Sequence, residues 1–379
     1  MPLIKDITNA IEAFAPLNLQ EDYDNAGLIT GNSNAECTGV LFSLDCTEAV
    51  IEEALQKKCN LIIAHHPIVF KGLKKLTGSN YVERTIISSI KNDIAIYACH
   101  TNIDNVIDGV NAKIAEKIGL KNIKILSPKT ELLKKLVVFV PLTHADVVRE
   151  AILSNGAGNI GNYSNCSFNV DGFGTFKGNE DTKPFVGEPN KLSKEPEVRI
   201  ETIFEVQNQN RIVSAMIAAH PYEEVAYDIY PLSNKHINIG SGIIGELEKE
   251  LPEMDFLSHV KTTFSLKTLK HTPLTNKNIK KVAICGGSGQ FLIKNAINSK
   301  ADSYITSDIK YHEFFDAEGK ILLLDVGHHE SEQFTPELFY EIITEKFPKF
   351  ARRNDKGDTG FVGLAIHLSK TNTNPVNYF

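Results

Sequence analysis

Apolar residues recur along this chain in two rhythms. From Ile4 to Phe14 they fall at three- and four-residue spacing (Ile4, Ile7, Ile11, Phe14), which predicts an amphipathic helix. Short apolar runs follow, each reading as a strand. Val40 to Asp45 is the first, and a helical stretch from Thr47 to Lys58 comes after it, with Thr47 placed as N-cap. Leu61 to Ala64 ends at His65-His66-Pro67; a helix near Val82 to Asn92 then leads to Ile94 to Cys99, which ends at His100-Thr-Asn-Ile-Asp104. The same order returns later. Lys281 to Cys285 is closed by Gly286-Gly287-Ser288-Gly289, and a helix runs to about Ser299. Asp302 to Thr306 ends at Ser307-Asp308-Ile-Lys310-Tyr-His312, and Ile321 to Val326 ends at Gly327-His328-His329-Glu330-Ser331-Glu332.

Strands alternating with helices over short connections imply parallel pairing. The expected fold class is therefore α/β: a pseudo-symmetric two-half α/β core with largely parallel strands, its halves at 1–128 and 236–379. Between them, residues 129–235 change texture. A strand (Leu136 to Val140), a helix near His144, a Gly/Asn-rich stretch, a strand (Glu197 to Val206) and a helix (Asn208 to Ala219) lead to His220-Pro-Tyr-Glu-Glu. That order predicts a ferredoxin-like α+β domain spliced into a surface loop of the core. The core resumes with the run Gly242 to Leu247, and Pro252 suits the first turn of a helix.

Composition removes several function classes. Across 379 residues, 42% hydrophobic and 23% charged, no apolar run approaches the roughly 18–20 residues of a membrane span. The start lacks the basic segment and apolar block of a secretory signal. A net charge of −7 without a long basic stripe argues against nucleic acid as a partner. The six cysteines form no C-x-x-C pair, and Cys46, Cys99 and Cys285 sit in or beside apolar runs as buried thiols do. Cytoplasm is the expected location.

In parallel sheets, ligands bind beyond the carboxyl ends of the strands, and the polar clusters of this chain lie at such ends. Adjacent residues on a regular strand point to opposite faces. His65 and His66 can share one site only where the backbone turns, as Pro67 requires; otherwise one caps the turn and the other is solvated. Their company favours a site, because His100 with Asp104 and His328 with Glu332 close neighbouring runs. Imidazole and carboxylate without thiolate suit Zn, Fe, Mn, Ni or Co. So few ligands leave coordination positions open, and open positions mark a catalytic centre.

The strings LIIAHHPIVFKGLKKL, YACHTNIDN, ITSDIKYHE and DVGHHESEQF resemble the family of dinuclear metal-centre proteins related to yeast NGG1-interacting factor three. Bacterial members often carry the label "GTP cyclohydrolase 1 type 2 homologue". EDYDNAGLITG, VLFSLD, GAGNIGNYSNCSF and HPYEEVAYDIYPL are similar to further family blocks, the last two to those of long members with a PII-like inserted domain. The resemblance implies two divalent metal ions (Zn, Fe or Mn) on His65, His66, Asp104, His328 and Glu332, in a homohexamer. It implies a metal-dependent hydrolase acting on a phosphorylated or nucleotide-like small molecule. The alternative is a non-catalytic metal-binding or regulatory assembly whose inserted domain senses a ligand.

Around the centre, His100 and His312 are candidate catalytic proton donors, though His100 could equally orient a ligand or sit in the core. Asp308 and Lys310 are candidate substrate-binding residues, with a plain solvated loop as the alternative. Asp24 and Asn25 brace a turn, Asp24 with reach toward the site. The glycine run is either a phosphate cradle or a tight turn. His220, Glu223 and Glu224 read as a helix-to-strand corner rather than a second metal site.

Overall fold

Four short strands open the chain: β1 (Gly27–Thr30), β2 (Gly39–Ser43), β3 (Leu61–Ala64) and β4 (Ala95–Ala98). Every residue of β2, β3 and β4 is buried, which is why these strands read as unbroken apolar runs rather than alternating ones. They pair in parallel, β2 with β3 and β3 with β4, and β1 closes that edge antiparallel to β4. Helices Glu48–Gln56 and Tyr81–Lys91 make the crossovers, packing Val50, Ile51 and Ile86 against Leu41, Ile62 and Ile96.

After β5 (Leu120–Pro128) come β6 (Leu133–Pro141), β7 (Phe168–Phe176), β8 (Ser193–Glu205) and β9 (Tyr227–Leu232). The last four form one antiparallel sheet in the order β7-β8-β6-β9, the ferredoxin-like arrangement. The chain continues through β10 (Gly240–Pro252), β11 (Lys270–His271), β12 (Asn278–Ser288), β13 (Ser303–Ser307), β14 (Leu322–Asp325) and β15 (Ala365–Leu368). In this computed structural model, which describes residues 1–348 and 364–379, residues 129–236 form one unit. Residues 1–128 and 237–379 form the other.

The larger unit holds two sheets, β1-β4-β3-β2-β15 and β11-β14-β13-β12-β10-β5. Each centres on three parallel strands with an antiparallel strand beyond the third, β1 in one and β11 in the other. Among the described residues, parallel pairing is confined to these centres and to β15 on β2; β10 pairs antiparallel with both β12 and β5. Two details differ from the pattern read along the chain. Strand β12 runs on through Gly286 and Gly287, and Pro252 ends β10 as N-cap of helix Glu253–Thr263 instead of entering its first turn.

No helix among the described residues is long and apolar enough to cross a membrane. Cys37, Cys46, Cys59, Cys99 and Cys285 are buried and unpaired. Burial pushes the Cys46 thiol up to about 12, so the reactive thiolate is suppressed there.

The segment after β15 is tied down by one carboxylate. Glu53 accepts hydrogen bonds from the Ser369 hydroxyl, the Lys370 and Thr371 amides and the Thr371 hydroxyl, and pairs with Lys57 at 2.8 Å. Burial opposes its charge, but these donors win and lower its pKa from 4.5 to about 2. A depressed folded-state pKa stabilises above the unfolded value, and that contribution is lost as pH falls from 4.5 toward 2. The protection of the amides of residues 369–371, measured as hydrogen exchange relative to the intrinsic rate at each pH, should therefore fall between about pH 4 and pH 2.5, roughly the span of that titration. That fall should be absent in Glu53→Gln, where protection is already low.

Candidate metal centre

The carboxyl ends of both sheets supply one cluster of side chains. Beyond β3, the His65 and His66 amides still bond the carbonyls of Ser43 and Leu44, at 3.2 and 3.0 Å, before Pro67 turns the chain away. Beyond β4, His100 leads into the short helix Thr101–Asp104. Beyond β14, Gly327 at φ +91° turns the backbone into the short helix His328–Glu332. Four residues apart on that helix, His328 and Glu332 share a face, with Nε2 and Oε2 3.2 Å apart.

Glu332 lies at the middle of the cluster and is almost fully buried. Its Oε1 is 3.6 Å from His65 Nε2, and its Oε2 is 3.0 Å from His66 Nε2. Asp104 Oδ1 approaches His65 Nε2 to 3.8 Å. Two triads result, His65–Asp104–Glu332 and His66–His328–Glu332, and they overlap at Glu332. A third group joins His100 to His65 and His66.

Each histidine is held by its far nitrogen. Nδ1 of His65 bonds the Cys99 carbonyl at 2.9 Å and Nδ1 of His66 meets Asp45 at 2.7 Å. Nδ1 of His100 meets Asp24 at 2.8 Å, and Nδ1 of His328 meets Asp308 at 2.6 Å. Such contacts fix the ring and commit Nε2 to the centre, as in metal-ligating histidines.

The polar balance tests whether a cation fits. Buried His65 Nε2 and Asp104 Oδ1 have no hydrogen-bond partner among the described residues, a condition that needs an explanation in a folded interior. Burial, then the charge of Glu332, pushes the Asp104 pKa well above the usual carboxylate range. Burial also opposes ionisation of Glu332, yet the surrounding imidazoles hold its pKa well below the ordinary value. Burial keeps the His65 pKa low. For His66, hydrogen bonds to Asp45 and Glu332 overcome burial and raise the pKa to about 10. His328 rises to about 9 against burial, through Glu332 and Asp308. Carboxylates facing one another, orphaned lone pairs and rings locked from behind all suit a divalent cation. These buried His and Glu groups can bind a metal ion.

The glycine run serves Glu332. A Cβ on Gly287, at φ +61°, would stand 2.3 Å from Glu332 Oε1. The Gly287 amide donates to Ser331 Oγ and its carbonyl accepts from Thr306 and Ser307. The run thus gives a buried carboxylate room in place of a phosphate cradle.

The other sequence candidates fall in different places. Asp24 accepts from the Thr101 amide while holding His100. Asp308, in the left-handed region at φ +57°, engages His328. Lys310 is exposed, and its amide bonds Glu313. His312 is exposed on the short helix Tyr311–Ala317, its ring against Tyr311 and Phe315, and it joins none of the clustered groups. His220 has both ring nitrogens on backbone, the Phe139 carbonyl and the Tyr222 amide, so it is a corner residue.

Two contributors went unread in the sequence. Asp45 ends the apolar run Val40 to Asp45, two residues beyond β2, and the strand-end rule that singles out His65 applies to it equally. Thr373 donates to the other Asp45 oxygen at 2.5 Å, a contact between chain ends that no local pattern announces. Both line a cavity of about 1130 Å³ that opens beside His66 and His328, with Phe70, Tyr81 and Tyr378 among its walls. Asp45→Asn should lower metal affinity ~10–100-fold, the usual effect of losing a histidine's supporting carboxylate. Equilibrium dialysis against a chelator series measures it; unchanged affinity would detach Asp45 from the centre.

Residues 2–355 match the family described as Duf34/NIF3 (NGG1p interacting factor 3). The chain belongs to the Duf34/NIF3 family. Among Duf34/NIF3 relatives, a Halalkalibacterium halodurans protein named "GTP cyclohydrolase 1 type 2 homolog" is 40% identical over 364 residues, 95% of this chain and 96% of that one. A Bacillus subtilis protein of the same name is 37% identical over 375 residues, covering 99% and 98%. The solved structure of a Bacillus cereus protein related to NIF3 superposes with TM-score 0.81 at 39% identity, covering 100% of this chain and 99% of that one.

Proposed function

We propose that this Duf34/NIF3 chain holds two divalent metal ions on His65, His66, Asp104, His328 and Glu332 and hydrolyses a phosphorylated or nucleotide-like small molecule. One observation carries the reading: two triads of potential ligands overlap at Glu332, each of its oxygens facing a different triad. Bound there, such ions would supply Lewis acidity and activated water. The chain's own side chains hold and exclude. Asp45, Asp308 and the Cys99 carbonyl orient the imidazoles. His100, held by Asp24 with its ring 5.7 Å from that of Phe70, is the group placed to hand a proton to a leaving atom. His312 drops out of that role on the geometry above. The cavity walls carry Asp45, Asp308, Asp325 and Glu330 against Lys270, so an anionic substrate would be drawn by the cations and not by the walls. Phe70, Tyr81 and Tyr378 offer faces on which a base can stack.

GTP is the first substrate to test, since the named relatives carry that nucleotide in their label. The decisive assay reconstitutes the protein with Mn, Zn or Fe and screens nucleotides and phosphoesters. Turnover that disappears in His65→Ala, with the circular dichroism unchanged, supports the reading. Tight metal binding without turnover across the panel rejects the hydrolase. A second reading, a regulatory assembly, is supported by the separate unit 129–236 with its ferredoxin-like sheet order and its own cavity. In that reading the unit is a PII-like sensor inserted into a homohexamer, which light scattering would report as six times the chain mass or refute.

A further inference from the structure

The antiparallel sheet of the unit 129–236 has two unlike faces. Val138, Val140, Val198 and Ile200 turn to helices Ala145–Ser154 and Gln209–Ala219. The register pairs Phe139 with Arg199, Arg199 with Val170, and Glu197 with Gly172. Alternation therefore places Phe139, Val170, Glu197 and Arg199 together on the face away from the helices. A cavity of about 830 Å³ lies over that face. The connection 177–192 borders it, held where Asn190 bonds the Gly178 carbonyl at 2.8 Å and the Lys183 amide bonds Glu223 at 3.0 Å.

Glu197 is only 7% exposed, yet it lines this cavity. Its Oε1 accepts from the Tyr222 hydroxyl at 2.9 Å, and among the described residues no cationic group pairs with it. Arg199, the nearest strand neighbour on that face, is committed to Glu201 at 2.8 Å. The backbone yields space for the carboxylate: a Cβ on Gly174 would stand 2.1 Å from Glu197 Oε2. A carboxylate buried without a cation gives up hydration that nothing restores. Around it stand the rings of Phe176 and Phe185, 5.9 and 6.3 Å from that of Tyr222. Aromatic faces attract cations, most strongly where water is excluded. The other charged walls, Asp171, Glu223 and Glu224 against Lys177, carry the same sign preference. The volume falls in the range of small-molecule sites.

We propose that this cavity binds a small organic ammonium ion, its charge met by Glu197 and its body packed against Phe176, Phe185 and Tyr222. The site is independent of the metal reading. Calorimetric titration of the full chain with phenethylammonium, 2-phenylethanol and phenylacetate separates charge from shape. The ammonium probe should bind at least ~10-fold more tightly than the alcohol, a step of about 1.4 kcal/mol, and phenylacetate more weakly still. Glu197→Gln keeps the size and the Tyr222 contact, so it should erase the preference for the ammonium over the alcohol. Phe185→Ala, at a half-exposed ring, should weaken the ammonium probe several-fold; should Glu197→Gln fail to fold, this variant and the three-probe series on the unaltered protein decide. Equal binding of ammonium and alcohol, preference for phenylacetate, no binding of any probe at millimolar concentration, or an ammonium preference that survives Glu197→Gln would each overturn the proposal. So would a fall in oligomeric state on Phe185→Ala in sedimentation velocity, which would assign the cavity to an interface.

Discussion

Glu332→Gln is expected to strip both of the proposed metal ions from the protein at once. The two triads share this one side chain, Oε1 toward His65 and Oε2 toward His66 and His328, and an amide offers a single neutral acceptor in place of two charged oxygens. Affinity should fall at least ~100-fold at each position, beyond the usual cost of losing a supporting residue. His328→Ala provides the contrast. It removes a ligand from one triad only, so one ion should remain on His65, Asp104 and Glu332. Metal content by plasma mass spectrometry, after identical loading and desalting, reads both variants. A Glu332→Gln protein that keeps a full complement, or a His328→Ala protein as empty as Glu332→Gln, would end the two-ion proposal.

Gly287→Ala should be nearly as damaging with no ligand substituted. Two costs combine at this position, and the protein contains a control that separates them. Gly319 has φ +65° with nothing within 4 Å of its would-be Cβ, so Gly319→Ala isolates the backbone penalty, roughly 1–2 kcal/mol. Gly287 has φ +61°, and its Cβ would also meet Glu332 Oε1 at 2.3 Å. The carboxylate cannot withdraw easily, being enclosed among three histidines. Gly287→Ala should therefore lose a further ~1–3 kcal/mol, as overpacked interiors do, and should bind metal poorly. Thermal melts of the metal-free proteins give the stability difference, and chelator competition gives the affinity. If the two alanine variants melt together and bind metal alike, Gly287 is no more than a turn.

These cases show what the linear sequence disclosed and where it stopped. The strand ends mark His65, His66, His100, Asp104, His328 and Glu332 as a polar cluster, because strand ends are where such sheets gather ligands, while the choice of five ligands among them rests on the family resemblance. The parallel centres β2-β3-β4 and β12-β13-β14 were legible as unbroken apolar strings. The antiparallel margins were not: β5 mixes lysines with apolar residues, and β11 has only two residues. Asp308 shows the limit at the site. Proximity to a ligand strand made it a candidate for substrate, but its left-handed backbone directs the carboxylate to His328, a partner on another strand end. Lys310 and His312 shared the same segment and the same argument, yet the helix Tyr311–Ala317 leaves both on the surface. For the Gly286–Gly289 run, the deciding fact is a carboxylate far along the chain, which no window of sequence contains.

The last described strand has a temporal meaning. β15 pairs with β2 and so completes the sheet that the first part of the chain begins, and Thr373 just beyond it reaches Asp45 behind His66. A nascent chain emerging from the ribosome would already carry His65, His66 and Asp104 long before either contact can form. Until those later segments follow, Asp45 lacks its Thr373 donor and the two histidines lack Glu332 between them. The fold thus defers the complete cluster until residues far along the chain have joined it.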